Sequence, residues 1–202
     1  MASRARERTC RGLARLDTAD HAIYAAIAAT SAPALDGPVR RLSEAANYSR
    51  IWLAIAAVLA VFGGRGGRCA AVRGIGAVGV SSALVNLGAK AIWFRQRPDA
   101  TGAGLPAARQ VAMPASRSFP SGHSASAFAF AAGAGRGLPW LRPPLRVLAA
   151  AVACSRVYTG VHYPSDVLAG SVAGWCTGRA VPALIDRMAA RPGCDGRRGR
   201  DA

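Results

Sequence analysis

Residues 118–135 read SFPSGHSASAFAFAAGAG, the longest run without Asp, Glu, Lys or Arg in this chain of 202 residues. The run is rich in small residues and has no strict alternation of apolar and polar positions, which favours a helix over a strand. Ser121 is a suitable N-cap for that helix, and Gly122 lets a ligand approach the backbone closely. The run therefore predicts a helix that begins near residue 121, with an anion site at its start.

Five further apolar stretches flank this helix, and their composition is similar. Hydrophobic residues are 51% of the chain but aromatic residues only 6%, a mix that suits closely packed helices better than a β-sandwich. Each stretch reaches the roughly 20 residues that cross a bilayer only by including polar residues at its ends. Hydropathy alone thus leaves a membrane bundle and a soluble helical protein both open. The six stretches are 21–35, 51–64, 70–92, 121–138, 145–162 and 165–185.

The distribution of basic residues favours the membrane bundle. If six helices cross a bilayer and both termini lie on one side, the termini and the loops on that side hold most of the 26 Lys and Arg residues. This is the positive-inside bias, and it places both termini in the cytoplasm. We therefore predict an all-α fold, a six-transmembrane-helix bundle over residues 21–185 with basic cytoplasmic tails at 1–20 and 186–202. The polar, Arg-rich residues 1–20 and 191–202 are expected to be unstructured.

Glycine stripes support close helix packing in this bundle. Gly170, Gly174 and Gly178 recur every four residues along the last stretch, and Gly133 and Gly137 form a second pair. Such spacing lets helix backbones approach each other in lipid. The first stretch also has features of a secretory signal, with small residues near 31–34, but a retained helix is the preferred interpretation.

The same sequence disfavours two other classes of protein, those that bind nucleic acid and those held together by disulfides or zinc. The net charge of +16 would suit a nucleic-acid partner, yet the basic residues lie between apolar stretches rather than along one face. We therefore expect no nucleic-acid partner. The cysteines are odd in number and scattered, which indicates neither a disulfide framework nor a zinc site. They are Cys10, Cys69, Cys154, Cys176 and Cys194.

Three clusters bring ionisable residues to the ends of the predicted helices. In the six-helix topology they share one membrane face, opposite the termini. Ionisable groups at a membrane are costly and usually functional. Cations, helix-end amides, two histidines and a carboxylate form an inventory for phosphoryl transfer. The clusters are Lys90 with Arg97 and Pro98; Pro120, Ser121, Gly122 and His123; and Ser155 and Arg156 with His162 and Asp166.

These clusters resemble the signature of the type 2 phosphatidic acid phosphatase superfamily, K-x6-R-P, P-S-G-H and S-R-x5-H-x3-D. All eleven specified positions are present in order. The resemblance implies an integral-membrane lipid phosphatase that works through a phosphohistidine intermediate without a metal or cofactor. It also implies that the partners are a lipid phosphate and the bilayer.

The resemblance also implies a role for each matching residue. His162 would be the nucleophile, Asp166 would hold its other ring nitrogen, and His123 would act as general acid and then as base. The phosphoryl oxygens would be bound by Lys90, Arg97, Ser121, Gly122 and Arg156. The catalytic face is expected on the extracytoplasmic side of a multi-pass cell-membrane protein.

Three questions remain open at this point. The superfamily also includes vanadium-dependent haloperoxidases, and a non-catalytic lipid-binding protein is a further alternative. Phosphatidate, phosphatidylglycerol phosphate, polyprenyl diphosphate and polyprenyl-linked sugar phosphates are all candidate substrates. An Ala-, Arg- and Gly-rich composition is typical of a GC-rich bacterial genome, where polyprenyl lipids of the envelope would fit. The loop over residues 99–118 is either a lid or a plain connector.

Overall fold

A computed structural model describes residues 2–189, which are mostly helical and contain no strand in that range. A π-helical turn, Leu84–Ala89, joins the fourth and fifth helices, and single 3₁₀ turns occupy Asn47–Ser49 and Pro139–Leu141. The predicted C-terminal tail lies largely outside the described residues. The helices are α1 (Ala2–Ala29), α2 (Pro33–Ala45), α3 (Arg50–Phe62), α4 (Gly64–Ala83), α5 (Lys90–Ile92), α6 (Gly122–Gly137), α7 (Arg142–Tyr158) and α8 (Pro164–Ala189).

The described helices differ from the predicted six at the N-terminus. Seven of them have 13 residues or more, because the predicted helix over 21–35 is interrupted and its two parts belong to α1 and α2. Pro33 occupies the start of α2, a position where its missing N–H costs nothing. Residues 2–20, predicted as an unstructured tail, form the first part of α1. That segment is rich in Ala, Arg and Leu, which are strong helix formers.

Helix α6 forms the centre of the bundle, between α4 and α8. Ala125, Ala129 and Phe130 are fully buried there. A Cβ added at Gly170, Gly174 or Gly178 would lie 2.3, 2.1 or 2.6 Å from a backbone oxygen of the Ser121–Ala129 segment. The predicted stripe on α8 is therefore the contact that lets α8 pack directly on the backbone of α6.

The second glycine pair is used in the same way against α4. A Cβ added at Gly133 would lie 2.9 Å from the carbonyl oxygen of Arg73, and one added at Gly137 would lie 3.4 Å from the Cβ of Ala70. Both stripes thus hold α6 close to its two neighbours, which positions the start of α6 relative to the start of α8.

One helical segment, Gly64–Ile92, is long and apolar enough to cross a bilayer. Helix α2 and the segment Asn47–Phe62 meet the same test together, with a bend of 66° between them. These are the candidate spans among the described residues.

The segment between α5 and α6 is anchored at its middle by a buried arginine. Arg109 donates from Nε to Asp36 Oδ1 at 2.7 Å and from Nη1 to the Ile27 carbonyl at 3.2 Å, and its Nη2 binds the Thr30 carbonyl. Tyr158 donates to the same Asp36 oxygen at 2.5 Å. The loop over 99–118 is therefore tied to α1, α2 and α7, which favours the connector interpretation over a free lid.

Candidate active site

Several helix ends meet at one end of the bundle and enclose a cavity of about 230 Å³. The segment before α3, the start of α5 and the first turn of α6 all line it, together with the loop between α7 and α8. The cavity brings together residues from all three sequence clusters. Those that line it are Lys90, Arg97, Gly122, His123 and His162.

His162 lies in the short loop between α7 and α8 with 1% of its side chain exposed. Its Nδ1 is 3.5 Å from Asp166 Oδ2, and its Nε2 is 3.1 Å from Nη1 of Arg97. A proton on Nδ1 would face the carboxylate, and the free lone pair of Nε2 would face the cavity and accept from Arg97. The nitrogen in the cavity is thus the one suited to act as a nucleophile.

Burial lowers the pKa of His162 to about 4, an effect that Asp166 opposes and that Arg97 increases. A neutral imidazole is favoured because the charged form loses its hydration. At neutral pH His162 therefore carries the unprotonated Nε2 that attack on phosphorus requires.

Asp166 is fully buried in the first turn of α8 and accepts several hydrogen bonds. Its Oδ2 accepts from the Ser118 hydroxyl at 2.5 Å and from the Tyr163 amide at 2.9 Å. Its Oδ1 accepts from Nη1 of Arg95 at 2.9 Å. Sequence reasoning identified Asp166 but missed Ser118 and Arg95.

Arg95 joins this carboxylate to α1. Its Nη2 donates to Asp20 Oδ2 at 2.7 Å and to Asp17 Oδ1 at 3.1 Å. Asp20 also accepts at 2.8 Å from the Ser165 amide, one of the N–H groups at the start of α8 that have no acceptor within the helix. These hydrogen bonds connect α1, the segment that follows α5 and the start of α8 beside His162.

This contact corrects the predicted arrangement of the N-terminal segment. The sequence placed residues 1–20 at the face opposite the catalytic residues, but Asp17 and Asp20 lie next to Arg95 at the same end. The count of basic residues could not reveal this position of α1, because it results from two acidic side chains, Asp17 and Asp20, that bind Arg95. The signal was present only as Asp17 and Asp20, two of the three carboxylates in the Arg-rich segment 1–20.

His123 stands on the first turn of α6, on the cavity wall with His162. Its Nε2 is 2.9 Å from the Oδ1 of Asn47, a residue that the motifs do not mark. Ser121 caps α6 by accepting from the Ser124 amide at 3.4 Å, and its own amide donates to the carbonyl of Asp166 at 2.9 Å. The start of α6 and the start of α8 are therefore fixed against each other.

Two cations share one acceptor at the edge of the cavity. Lys90 Nζ and Arg97 Nη2 donate to the Ser116 hydroxyl at 3.2 and 3.1 Å. A Cβ on Gly122 would lie 3.9 Å from Lys90 Nζ, so glycine leaves the α6 backbone open toward these charges. Cations and helix-end amides that converge in this way can bind an anion.

Arg156, Ser121 and Asp166 are fully buried and are not part of the cavity lining. Arg156 donates from Nη1 to the carbonyl and the hydroxyl of Ser43 at 3.2 and 2.5 Å. Its Nε has no partner, which is uncommon for a buried charged donor. Among the side chains that the structure describes, residues 11–188, no three His, Cys, Asp or Glu are grouped so that they could hold a metal ion.

Residues 70–188 match the PAP2 superfamily. The chain is also 36% identical over 154 residues to a decaprenylphosphoryl-5-phosphoribose phosphatase of Mycobacterium tuberculosis, which covers 75% of this chain and 81% of that protein. These matches show that the chain belongs to the PAP2 superfamily, as the three motifs predicted.

Two solved structures share the fold. A transmembrane PAP2-type phosphatidylglycerolphosphate phosphatase from Bacillus subtilis aligns with a TM-score of 0.65 and 25% identity, over 88% of this chain and 89% of that one. LpxE of Aquifex aeolicus aligns with a TM-score of 0.61 and 24% identity, over 77% of this chain and 90% of that one.

Proposed function

We propose that this protein is a membrane lipid-phosphate phosphatase in which His162 is the nucleophile. The observation that carries the proposal is the orientation of His162. Its Nδ1 faces Asp166 and its Nε2 faces a cavity that Lys90 and Arg97 line. The phosphatase relatives favour this function over a haloperoxidase or a non-catalytic lipid-binding protein.

The reaction proceeds in two displacements. Nε2 of His162 attacks phosphorus, so that a P–N bond forms while the bond to the lipid oxygen breaks. His123 supplies a proton to that leaving oxygen, and the lipid alcohol or lipid phosphate departs. His123 then takes a proton from water, the water oxygen attacks phosphorus, and the P–N bond breaks to release inorganic phosphate.

Charge stabilisation comes from side chains and backbone amides. Lys90, Arg97 and the first amides of α6 face the phosphoryl oxygens, and they are held in place before the reaction begins. Asp166 stabilises the imidazolium character that His162 gains as its Nε2 bonds to phosphorus. Arg95 and Ser118 are positioning residues, since both act on Asp166 and neither lines the cavity.

A lipid substrate fits the surroundings of the cavity. Tyr48 on its rim is 84% exposed, and Trp93 and Phe94 in the next segment are 54% and 79% exposed. Large exposed aromatic side chains beside the cavity suit a membrane–water interface. There, a lipid headgroup could reach the site while its chains stay in the bilayer. The decaprenyl-linked substrate named for the Mycobacterium tuberculosis relative favours a polyprenyl-linked phosphate or diphosphate.

We infer a multi-pass arrangement in the cell membrane, with the catalytic end on the extracytoplasmic side. The arginines at the far ends of α6 and α8 support this orientation, because basic residues favour the cytoplasmic side. Helix α1 lies against the catalytic end, so the part of it that bears Asp20 belongs to the extracytoplasmic side in this arrangement.

Phosphate release by the detergent-purified protein tests the proposal. The panel contains a polyprenyl-linked sugar phosphate, polyprenyl diphosphate, phosphatidate and phosphatidylglycerol phosphate, each assayed with EDTA. Wild type should release phosphate, and His162→Ala should be slower by about a thousandfold or more, because the nucleophile is removed.

His21→Ala is the matched control, since it removes an exposed histidine outside the cavity. It should keep the wild-type rate. Equal rates for wild type and His162→Ala would disprove the phosphohistidine pathway, and activity abolished by EDTA would contradict the metal-free mechanism.

A further inference from the structure

A second cavity of about 240 Å³ lies at the end of the bundle opposite the catalytic residues. Arg136 of its wall is separated from His123 by thirteen positions of α6, about 20 Å along a helix. We refer to this cavity as the arginine pocket. It is formed by Arg136, Arg142, Arg146, Arg179 and Trp175, over a floor of small residues.

The arginines of this pocket come from three different helices and converge. Arg146 of α7 and Arg179 of α8 lie over the same Trp175 ring, at 4.9 and 5.9 Å from its centroid. Arg142 donates from Nε to the carbonyl of Gly135 at 2.7 Å, which fixes its guanidinium at the end of α6. Charges that only orient helices in a membrane need not meet around one ring.

The positive charge of the pocket is mostly unneutralised. Asp186 accepts from Arg136 Nε at 3.1 Å, but the same carboxylate is already bound by Arg73 at 2.6 and 3.0 Å. Over residues 11–188, no carboxylate lies within ion-pair distance of Arg142, Arg146 or Arg179. Like charges this close repel one another, and a bound anion would remove that repulsion.

The chemistry of the lining selects a phosphate group. Guanidinium groups present several donors in a planar fork that matches phosphate oxygens, and they are weakly hydrated compared with ammonium groups. The volume is below the roughly 300–1,000 Å³ of sites that enclose a whole small molecule. The pocket therefore fits a headgroup phosphate whose attached chains remain outside.

We propose that the arginine pocket binds the phosphate of an anionic membrane lipid on the face opposite the catalytic site. Basic pockets between transmembrane helices on the cytoplasmic side recognise such headgroups. Trp175 at the same level suits the membrane interface. The lipid stabilises the junction of α6, α7 and α8 and takes no part in phosphate release.

Thermal stability of the purified protein in detergent tests this site. Phosphatidylglycerol, phosphatidylcholine and inorganic phosphate are each added to His162→Ala, so that turnover does not interfere. Near a hundredfold excess over Kd, phosphatidylglycerol should raise Tm by roughly 5–10 °C. Phosphatidylcholine should give no rise, because it has no net negative charge, and inorganic phosphate a much smaller one.

The same measurement is repeated with two paired variants. Arg146→Gln with Arg179→Gln should lose the rise in Tm. Arg65→Gln with Arg68→Gln should keep it, since both arginines are exposed at the start of α4 and neither lines the pocket. In an otherwise wild-type chain, the first pair should release phosphate within about twofold of the wild-type rate in detergent.

The site would be overturned if Arg146→Gln with Arg179→Gln kept the rise in Tm, or if both pairs of variants lost it equally. An equal rise in Tm with inorganic phosphate would also overturn it, because the pocket would then bind free phosphate. If the first pair does not fold, the single change Arg179→Gln replaces it, and an undiminished rise there also overturns the site. Because these Tm measurements do not depend on catalysis, failure here is separate from failure of the phosphatase proposal.

Discussion

The two ends of the bundle hold their arginines in different ways. At the catalytic end, Arg95, Arg97, Arg109 and Arg156 each donate to side chains or carbonyl groups of the protein. At the opposite end, Arg146 and Arg179 are exposed over Trp175 and bind no carboxylate among the described residues. The four arginines at the catalytic end are therefore held by the fold, whereas Arg146 and Arg179 at the opposite end are available to a ligand.

The difference follows from what each end must do. A phosphoryl-transfer site gains most from charges that are already in position, because nothing then has to reorganise as charge develops. A site for a lipid headgroup needs only a net attraction to the phosphate, and its side chains can adjust their conformations to the ligand. The comparison therefore predicts that substitutions at the catalytic end affect rate, whereas those at the opposite end affect lipid binding.

After loss of the nucleophile itself, the largest expected effect comes from Arg95, which connects α1 to Asp166. Arg95→Gln removes the cation that bridges Asp20 and Asp166, and we expect kcat to fall by about a hundredfold with little change in KM, because Arg95 does not touch the substrate. Arg95→Lys should recover part of the loss, since it keeps the charge. Steady-state kinetics on the best substrate of the panel measures both.

Arg40→Gln is the control, since Arg40 is an exposed arginine that pairs with Glu44 of the same helix. It should leave kcat unchanged. If Arg95→Gln raised KM and left kcat intact, Arg95 would bind substrate rather than position Asp166, and the comparison between fixed and available arginines would need revision.

A smaller effect is expected where α8 crosses α6, between the two ends. Gly174→Ala would place a Cβ 2.1 Å from the carbonyl oxygen of Ala125, and we expect the free energy of unfolding to fall by about 1–3 kcal/mol from overpacking. Gly79→Ala is the matched control, because a Cβ there has no atom within 4 Å. It should be neutral or stabilising by up to about 1 kcal/mol. Thermal unfolding in detergent compares them, and equal losses would show that the stripe is not a close contact.

The smallest effect concerns the protonation of His162. Its pKa lies near 4 in the folded protein because of burial, against 6.5 ordinarily. As pH falls through 6.5, the unfolded chain takes up a proton that the folded protein does not, so stability decreases until pH approaches the folded pKa. Between pH 6.5 and 5 this contributes at most about 2 kcal/mol.

Unfolding of wild type and His162→Gln at pH 7 and pH 5 measures this contribution. Wild type should lose more stability than the variant over this interval. Equal losses would mean that His162 titrates normally in the folded protein, and the neutral nucleophile would then depend on pH near 6.5.

Much of the fold could be predicted because its signals are local. The starts of α3, α6 and α8 lie within one residue of the starts of the predicted stretches 51–64, 121–138 and 165–185. The stripe from Gly170 to Gly178 predicted that the last helix packs closely on another helix, without indicating that this helix is α6. The N-terminal segment could not be placed in this way. Composition predicted an unstructured basic tail, whereas α1 is held by contacts from Asp17 and Asp20 to residues more than seventy positions away.

The sequence by itself determined the superfamily, the identity of the catalytic candidates and the helices that carry them, because motif spacing and helix periodicity are properties of neighbouring residues. Only the tertiary structure decided which side chains complete the site and which charges stay free. Ser118, Arg95 and Asn47 carry no mark in the motifs, and they meet Asp166 and His123 only after separate segments pack together. Convergence of Arg146 and Arg179 on one ring likewise requires the packing of α7 beside α8, which no local pattern encodes.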